Sequence, residues 1–175
     1  MKKSAQVRTS GFTLVELLVV IAIIAILAAV VVLIINPLEI TRRGRDAARL
    51  TDLANLQQAI NVVVQEATES GAALFCSGAS APCTDNSNAG TRAIDGSGWV
   101  KVNLAAQNNV SVPTLPIDPI VPNTTANHYT YCGSATGWKL VADLESVQQS
   151  AKETNDGGVE AQYEVGSEMS LACTY

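Results

Sequence analysis

A single carboxylate, that of Glu16, lies in an otherwise uncharged apolar run near the N-terminus. The run extends from Phe12 to Ile35, and a helix of about 24 residues is roughly 36 Å long, enough to cross a bilayer with some tilt. A charge at the centre of such a span costs about 2.5–3.5 kcal/mol, and charges inside membranes usually have a partner. The sequence therefore predicts a transmembrane helix whose one carboxylate needs a partner charge.

The residues on either side of this carboxylate form a recognisable motif. The hexapeptide Gly11-Phe12-Thr13-Leu14-Val15-Glu16, with the apolar run that follows it, resembles the class III signal of type IV pilins and pseudopilins. This resemblance implies that a prepilin peptidase cleaves between Gly11 and Phe12 on the cytoplasmic side. It also implies N-methylation of Phe12 as the new first residue. Glu16 then becomes the fifth residue of the mature chain, where pilins keep a glutamate.

Cleavage would give Phe12 and Glu16 a physical reason to meet. The new amine at Phe12 is cationic, and an unpaired charge buried among apolar helices is costly. The Glu16 carboxylate of a neighbouring subunit compensates this charge through a charge-assisted hydrogen bond if the two subunits are shifted by about one helical turn. Such a heterologous contact does not close, so it builds a filament. The alternative is a signal anchor whose Glu16 lies among lipid headgroups.

Basic residues flank the span on both sides. Lys2, Lys3 and Arg8 precede it and favour a cytoplasmic N-terminus, whereas an arginine cluster follows it and favours the opposite orientation. The processing motif places the N-terminus inside. We therefore expect a single-pass prepilin in the inner membrane and, later, an extracellular pilus or a cell-surface location.

The arginine cluster beyond the span allows two interpretations. It consists of Arg42, Arg43, Arg45 and Arg49. These side chains either pair with acidic residues of adjacent subunits or are attracted to lipid headgroups. The acidic candidates are Glu39, Asp46 and Asp52.

Five segments follow from the pattern of residues. Residues 1–11 are the leader, and residues 12–36 form the transmembrane and polymerisation helix, which Pro37 should interrupt because proline lacks a backbone donor. Residues 37–70 are an amphipathic second half of the helix, ended by Ser70-Gly71. Residues 71–98 are a variable connector loop, and residues 99–175 are an antiparallel β-sheet head. The apolar stripe of the second helix is Leu53, Leu56, Ile60, Val63 and Ala67.

The predicted fold class is α+β, with a long N-terminal helix packed on a small antiparallel sheet, as in the pilin fold. Alternation and β-branched or aromatic content predict five strands in the head. They are Trp99–Leu104, His128–Cys132, Trp138–Leu144, Ala161–Val165 and Ser170–Thr174.

A second resemblance lies in the head. The segments Leu115-Pro116-Ile117-Asp118-Pro119, Tyr129-Thr130-Tyr131, Gly137-Trp138-Lys139-Leu140 and Leu144-Glu145 are similar to pilin heads, especially those of major pseudopilins. In that family a proline-aspartate-proline loop precedes a tyrosine-bearing hairpin. The connector at 71–98 has no such match.

The charge balance argues against nucleic acid as a partner. Loss of a leader that holds three of the 11 Lys and Arg residues leaves 8 against 16 acidic residues, a formal net charge of −8. An acidic surface repels a phosphate backbone, so non-specific DNA binding is disfavoured.

Four cysteines, an even number, lie in the extracytoplasmic part of the chain. They are Cys76, Cys83, Cys132 and Cys173. Three pairings are possible. We favour Cys76–Cys83, which closes a short loop, together with Cys132–Cys173, which resembles the C-terminal disulfide loop of many pilins. A zinc site competes with this interpretation, although the chain has no Cys-x2-Cys motif and a single histidine, His128.

Calcium is the one cofactor that the resemblance suggests, because some relatives bind it in the late loops. Asp118 and Asp156, with Glu153 and Glu160, supply oxygen ligands of suitable chemistry. The spacing is not that of an EF-hand, and a glycine-rich turn at Asn155–Gly158 is the alternative explanation. No catalytic constellation is evident, so the chain is not expected to be an enzyme.

The resulting prediction is a structural filament subunit that polymerises through its N-terminal helix. The partners implied by resemblance are like subunits, a prepilin peptidase, an inner-membrane platform protein and an assembly ATPase. A pseudopilin of a type II secretion-like system is an alternative within the family. A membrane-anchored binding or adhesion module that never polymerises is the alternative outside it.

Overall fold

The computed structural model describes residues 11–106, 109–120, 128–158 and 162–173. The described chain divides into one unit that ends at Ile40 and a second unit that begins at Thr41. The predicted leader, apart from Gly11, lies outside the described residues.

Helix α1 spans Leu14–Ile35, and Thr13 caps its N-terminus. It ends because Asn36 adopts a left-handed conformation with φ 44° and ψ 82°. Pro37 then occupies the first position of the next helix, where its missing N–H has no intrahelical partner to lose. The prediction that Pro37 interrupts the helix is confirmed.

Helix α2 spans Pro37–Glu66 and supplies one wall of the core of the second unit. Leu53, Leu56, Ile60 and Val63 are buried, as their spacing predicts, and Ala67 packs against the same core. The helix ends four residues before Ser70, so the predicted stop at Ser70-Gly71 is wrong. Gly71, with φ 61°, instead precedes the short helix α3, Ala72–Phe75.

Four antiparallel strands form one sheet in the order β1-β2-β3-β4. β2 and β3 make a hairpin in which Tyr131 lies opposite Leu140, and β3 pairs with β4 so that Leu140 also lies opposite Val165. β1 pairs with β2 through Cys83 and Gly133. The strands are β1 (Cys83–Asn86), β2 (Thr130–Gly133), β3 (Trp138–Ala142) and β4 (Tyr163–Gly166). The long apolar helix and this small sheet are the predicted α+β architecture.

Three details of the sequence prediction are wrong. The segment 71–98, predicted as a loop, contains α3 and the edge strand β1. The segment Trp99–Leu104, predicted as a strand, is irregular and leads into a short 3-10 helix, although its apolar side chains are fully buried. Residues 170–173 form no strand. Thr174 and Ala161, at the ends of two predicted strands, lie outside the described residues.

The buried core joins α2, α3, the 99–104 segment and the inner face of the sheet. Its largest members are aromatic, and two of them have hydrogen-bonded polar atoms: the Tyr131 hydroxyl donates to the Phe75 carbonyl at 2.7 Å, and the Trp99 indole donates to the Pro116 carbonyl at 3.1 Å. Buried aromatic residues need such partners. At these two positions the apolar core therefore buries polar groups that have a hydrogen-bond partner.

Candidate processing and assembly site

The predicted cleavage point lies in exposed, irregular backbone. Gly11 and Phe12 precede α1, and the Phe12 side chain is 81% exposed. A peptidase needs an accessible, non-helical peptide bond, because a helix holds its backbone groups in internal hydrogen bonds. The Gly11–Phe12 bond meets both conditions. The cut itself stays a prediction.

Thr13 positions Glu16 at the start of α1. Its side-chain oxygen accepts the Glu16 N–H at 3.2 Å, which caps the helix, and it also lies 3.5 Å from Glu16 Oε2. The carboxylate is therefore held in the first turn, where the helix dipole favours a negative charge. Sequence reasoning missed Thr13, although the Thr-x-x-Glu spacing is a known N-terminal signature of helices.

No residue of α1 is buried within the chain. Among the described residues, it is the one helix that is long and apolar enough to cross a membrane, by length and composition. Its apolar side chains are exposed on all sides: Leu14 is 79% exposed and Leu33 is 84% exposed. A helix that is apolar all round must be covered by lipid or by other apolar helices.

The comparisons with known proteins agree with this geometry. Residues 7–32 match the family model described as the prokaryotic N-terminal methylation motif, which is the class III signal of type IV pilins and pseudopilins. The match covers the N-terminal motif alone; together with the exposed apolar helix and the α+β fold, it supports a precursor similar to those of type IV pilins and pseudopilins. No curated protein and no solved structure matches the chain.

A buried ion cluster lies at the start of α2 within the second unit. Arg49, 1% exposed, donates from Nε to Asp118 Oδ2 at 2.7 Å and from Nη2 to Asp118 Oδ1 at 3.0 Å. Its Nη1 lies 2.9 Å from Asp46 Oδ1 and 2.6 Å from Glu145 Oε1. Arg45 adds a second bond to Glu145, from Nε to Oε1 at 2.9 Å. The guanidinium of Arg49 thus joins α2 to the segment that contains Asp118 and to the segment that contains Glu145.

This cluster corrects the expectation for the arginines. Arg49 and Asp46 were predicted to face adjacent subunits or lipid headgroups, but both are buried in their own chain. Arg45 is also engaged by Glu145. The local signal for the cluster was the Asp46–Arg49 spacing of three residues on one helix. Its other members are distant in sequence, so their contribution was not predicted.

Backbone donors complete the cluster around Asp46. This carboxylate accepts the Glu145 N–H at 3.0 Å and the Ser146 N–H at 2.8 Å. Burial alone raises the pKa of Asp46, but the hydrogen bonds from these donors and from Arg49 outweigh burial and hold the pKa below its usual value. The hydrogen bond from Arg45 is the main reason that the pKa of Glu145 is also lowered.

The two calcium candidates lie in different surroundings. Asp118 is 2% exposed, and both of its carboxylate oxygens accept from Arg49. Asp156 accepts the Gly158 N–H at 2.9 Å and the Glu164 N–H at 2.7 Å, and the second bond joins Asp156 to β4. Among the described residues, no three His, Cys, Asp or Glu side chains form a group that could hold a metal ion.

Calcium binding by the Asp156 loop stays a prediction, and Glu160 lies outside the described residues. Millimolar calcium should raise the melting temperature of the exported protein if the loop binds it. An unchanged melting temperature would refute calcium binding by this loop.

The four cysteines form the two disulfides that the sequence favoured. Cys76 joins Cys83, and Cys132 joins Cys173, with Cα–Cα distances of 5.8 Å in both pairs. The described residues contain no free cysteine, so no thiolate remains for the competing zinc site. The first bridge links α3 to β1, and the second fastens the C-terminal segment to β2.

Proposed function

We propose that the chain is the structural subunit of a type IV pilus-like filament and that it polymerises through α1 after cleavage between Gly11 and Phe12. The observation that carries the proposal is the exposure of α1. This helix has 22 residues, none of them buried by its own chain. In the precursor, lipid covers the helix, and in the filament the same helix of other subunits covers it.

Glu16 supplies the specific part of this packing. Burial of α1 among like helices also buries the amine that cleavage creates at Phe12, and each charge compensates the other across neighbouring subunits. Thr13 holds the Glu16 carboxylate near the helix start, so less side-chain freedom is lost when the pair forms.

The proposal includes the machinery that the motif implies. A prepilin peptidase removes the leader and methylates Phe12, and an inner-membrane platform protein and an assembly ATPase drive polymerisation. Before assembly the chain crosses the inner membrane once with its N-terminus in the cytoplasm. After assembly the second unit faces the exterior of the cell.

The test is intact-mass and N-terminal peptide analysis of protein sheared from the cell surface. We expect a chain that begins with N-methylated Phe12 in a high-molecular-weight fraction. A mature chain confined to the periplasm would favour the pseudopilin alternative instead. An uncleaved chain found only in membranes would refute the proposal and favour the anchored binding module.

A matched pair of variants tests the role of the carboxylate. Glu16→Gln should be cleaved normally but depleted from the sheared fraction, because the amine at Phe12 loses its partner. Glu69→Gln removes the same charge at an exposed position beyond α2 and should assemble like the wild type. Equal recovery of both variants would show that Glu16 does not guide assembly.

A further inference from the structure

A groove opens on the surface of the second unit between α2 and the segment 109–116. Its volume is about 480 Å³. One wall is the α2 face that contains Asp52, Asn55 and Ala59. The opposite side combines an apolar wall, formed by Val110, Val112, Pro113 and Pro116, with the polar residues Asn109, Ser111 and Thr114.

Asp52 gives this groove a negative charge. Its Oδ2 accepts the Tyr129 hydroxyl at 2.9 Å, whereas Oδ1 has no hydrogen-bond partner among the described residues. Partial burial raises the pKa of Asp52, and the hydrogen bond from Tyr129 and the positive charge of Arg92 offset this effect only in part. A partly desolvated carboxylate with a free oxygen is best satisfied by a cation that brings its own N–H donors.

The chain carries one suitable cation near the beginning of α2. Arg45 and Arg49 are engaged inside the head, and Arg43 also has a partner. Arg42 is exposed and has no hydrogen-bond or ion-pair partner among the described residues. Of the four arginines in the cluster, Arg42 is therefore the one available for a contact with another molecule.

Arg42 cannot reach the groove of its own chain. It precedes Asp52 by ten residues on the same helix, which is about 15 Å along the axis. The groove residues Asn55 and Ala59 also lie on a different face of the helix, more than 90° away at about 100° per residue. Any contact between Arg42 and this groove must therefore join two subunits, and a contact of this kind that repeats head to tail without closing is compatible with an open filament.

We propose that Arg42 of one subunit docks in the α2 groove of the next subunit, with its guanidinium on the free oxygen of Asp52. The aliphatic part of the arginine side chain lies along the apolar wall, as long basic side chains commonly do. The occupant is thus a second copy of this chain. The inference rests on the proposed function and adds to it the contact that joins neighbouring heads.

Cysteine cross-linking tests this contact directly. Arg42→Cys and Asn55→Cys are placed in the same chain, co-expressed with the wild-type chain so that filament growth is maintained, and sheared filaments are treated with a short bis-maleimide. A cross-linker is needed because an arginine that reaches Asp52 keeps its own Cα beyond the Cα–Cα limit of about 7 Å for a disulfide. The two positions are about 20 Å apart along one helix, more than the short cross-linker spans, so any bridge is intermolecular. Peptide mapping identifies the bridge. The matched control is Arg42→Cys with Asn61→Cys, an exposed asparagine of α2 that does not line the groove.

We expect a 42–55 bridge and a band of twice the subunit mass, with at least about tenfold less of the 42–61 bridge. Filaments that contain the variant chain but show no excess of the 42–55 bridge would overturn this inference and leave the proposed function intact. If the wild-type chain itself is absent from the sheared high-molecular-weight fraction, the proposed function is overturned instead.

Asp52→Asn provides an independent readout. The amide still accepts the Tyr129 hydroxyl, and loss of a carboxylate whose pKa is raised by burial should not destabilise the head. We expect about fivefold less sheared filament at equal expression, which corresponds to about 1 kcal/mol per contact. Arg42→Lys, which keeps the charge, should lose less than Arg42→Gln. Filament yields equal to wild type for both Asp52→Asn and Arg42→Gln would contradict the proposed contact.

Discussion

Arg49 and Asp118 form a two-point ion pair in the interior of the head. The Nε–Oδ2 distance is 2.7 Å and the Nη2–Oδ1 distance is 3.0 Å, and the side chains are 1% and 2% exposed. The two residues are 69 positions apart in sequence. Their contact therefore fastens α2 to the loop that precedes the β2–β3 hairpin.

Arg49→Met should strongly destabilise the protein. The substitution keeps most of the side-chain volume but leaves the Asp118 carboxylate buried and unpaired, which typically costs about 3–5 kcal/mol. Urea unfolding of the full-length protein in detergent micelles measures this loss. Arg42→Met, at an exposed position of the same helix, is the control and should stay within about 0.5 kcal/mol of wild type.

The double variant Arg49→Met/Asp118→Leu distinguishes two costs: the loss of the ion pair itself and the burial of the Asp118 carboxylate that Arg49→Met leaves unpaired. A buried ion pair replaced by apolar groups is often nearly neutral in stability. The double variant should therefore be more stable than Arg49→Met alone. If it is less stable, the penalty does not come from the unpaired carboxylate.

The same cluster predicts an acid-sensitive head. The folded-state pKa values of Asp46 and Glu145 are lowered from ordinary values of 3.8 and 4.5. A lowered pKa means that the folded state binds fewer protons than the unfolded state. The stabilisation is therefore complete above about pH 4.5 and decreases as the pH falls below these values.

Melting temperatures from pH 7 to pH 3 test this dependence. The wild type should lose stability below about pH 4.5, whereas Glu145→Gln should begin less stable and show a shallower decline. Asp52 and Glu153 oppose the trend, because burial raises their pKa values and they favour folding as they become protonated. Parallel curves for wild type and variant would exclude Glu145 as a source of the acid sensitivity.

The two disulfides should contribute unequally to stability. Cys132 and Cys173 are 41 positions apart, whereas Cys76 and Cys83 are 7 apart. In the chain-entropy account, loss of the longer loop costs about 4 kcal/mol and loss of the shorter one about 2.5 kcal/mol. Paired Cys→Ser variants, compared by urea unfolding, should show this order. The reverse order would mean that local packing of the 76–83 loop matters more than loop length.

Sequence predicted the features whose cause is local. The break at Pro37 follows from proline chemistry, and the buried stripe on α2 follows from a spacing of three and four residues. Helix α1 begins at Leu14 rather than at Phe12 because the Thr13 side chain caps it. That boundary, too, had a local signal in the Thr-x-x-Glu spacing.

The features that were not predicted depend on contacts between distant segments. The strand Cys83–Asn86 has the sequence Cys-Thr-Asp-Asn, which has no alternating apolar pattern; its place is set by pairing with β2 and by the bridge from Cys83 to Cys76. Trp99 and Val102 have strand-like side chains, yet they are buried in irregular backbone. Arg49 looked like a surface charge because its buried carboxylate partner Asp118 is in a different loop.

Substitution by alanine should destabilise the protein at Gly133 and stabilise it at Gly44. A Cβ at Gly133, in β2, would lie 2.5 Å from the Phe75 carbonyl oxygen and 2.9 Å from Cys83 Sγ. Neither neighbour can move freely, since both belong to the closely packed region around the first disulfide. Gly133→Ala should therefore cost about 1–3 kcal/mol through overpacking.

A Cβ at Gly44 would meet no atom within 4 Å apart from its chain neighbours and the backbone of its own helix, and this residue lies on the exposed side of α2. Gly44→Ala should stabilise the helix by about 0.5–1 kcal/mol, because alanine loses less backbone freedom on folding. Urea midpoints of the two variants should lie on opposite sides of the wild-type value. A destabilised Gly44→Ala would contradict this account, because neither the helical backbone nor the open space around Gly44 should penalise alanine.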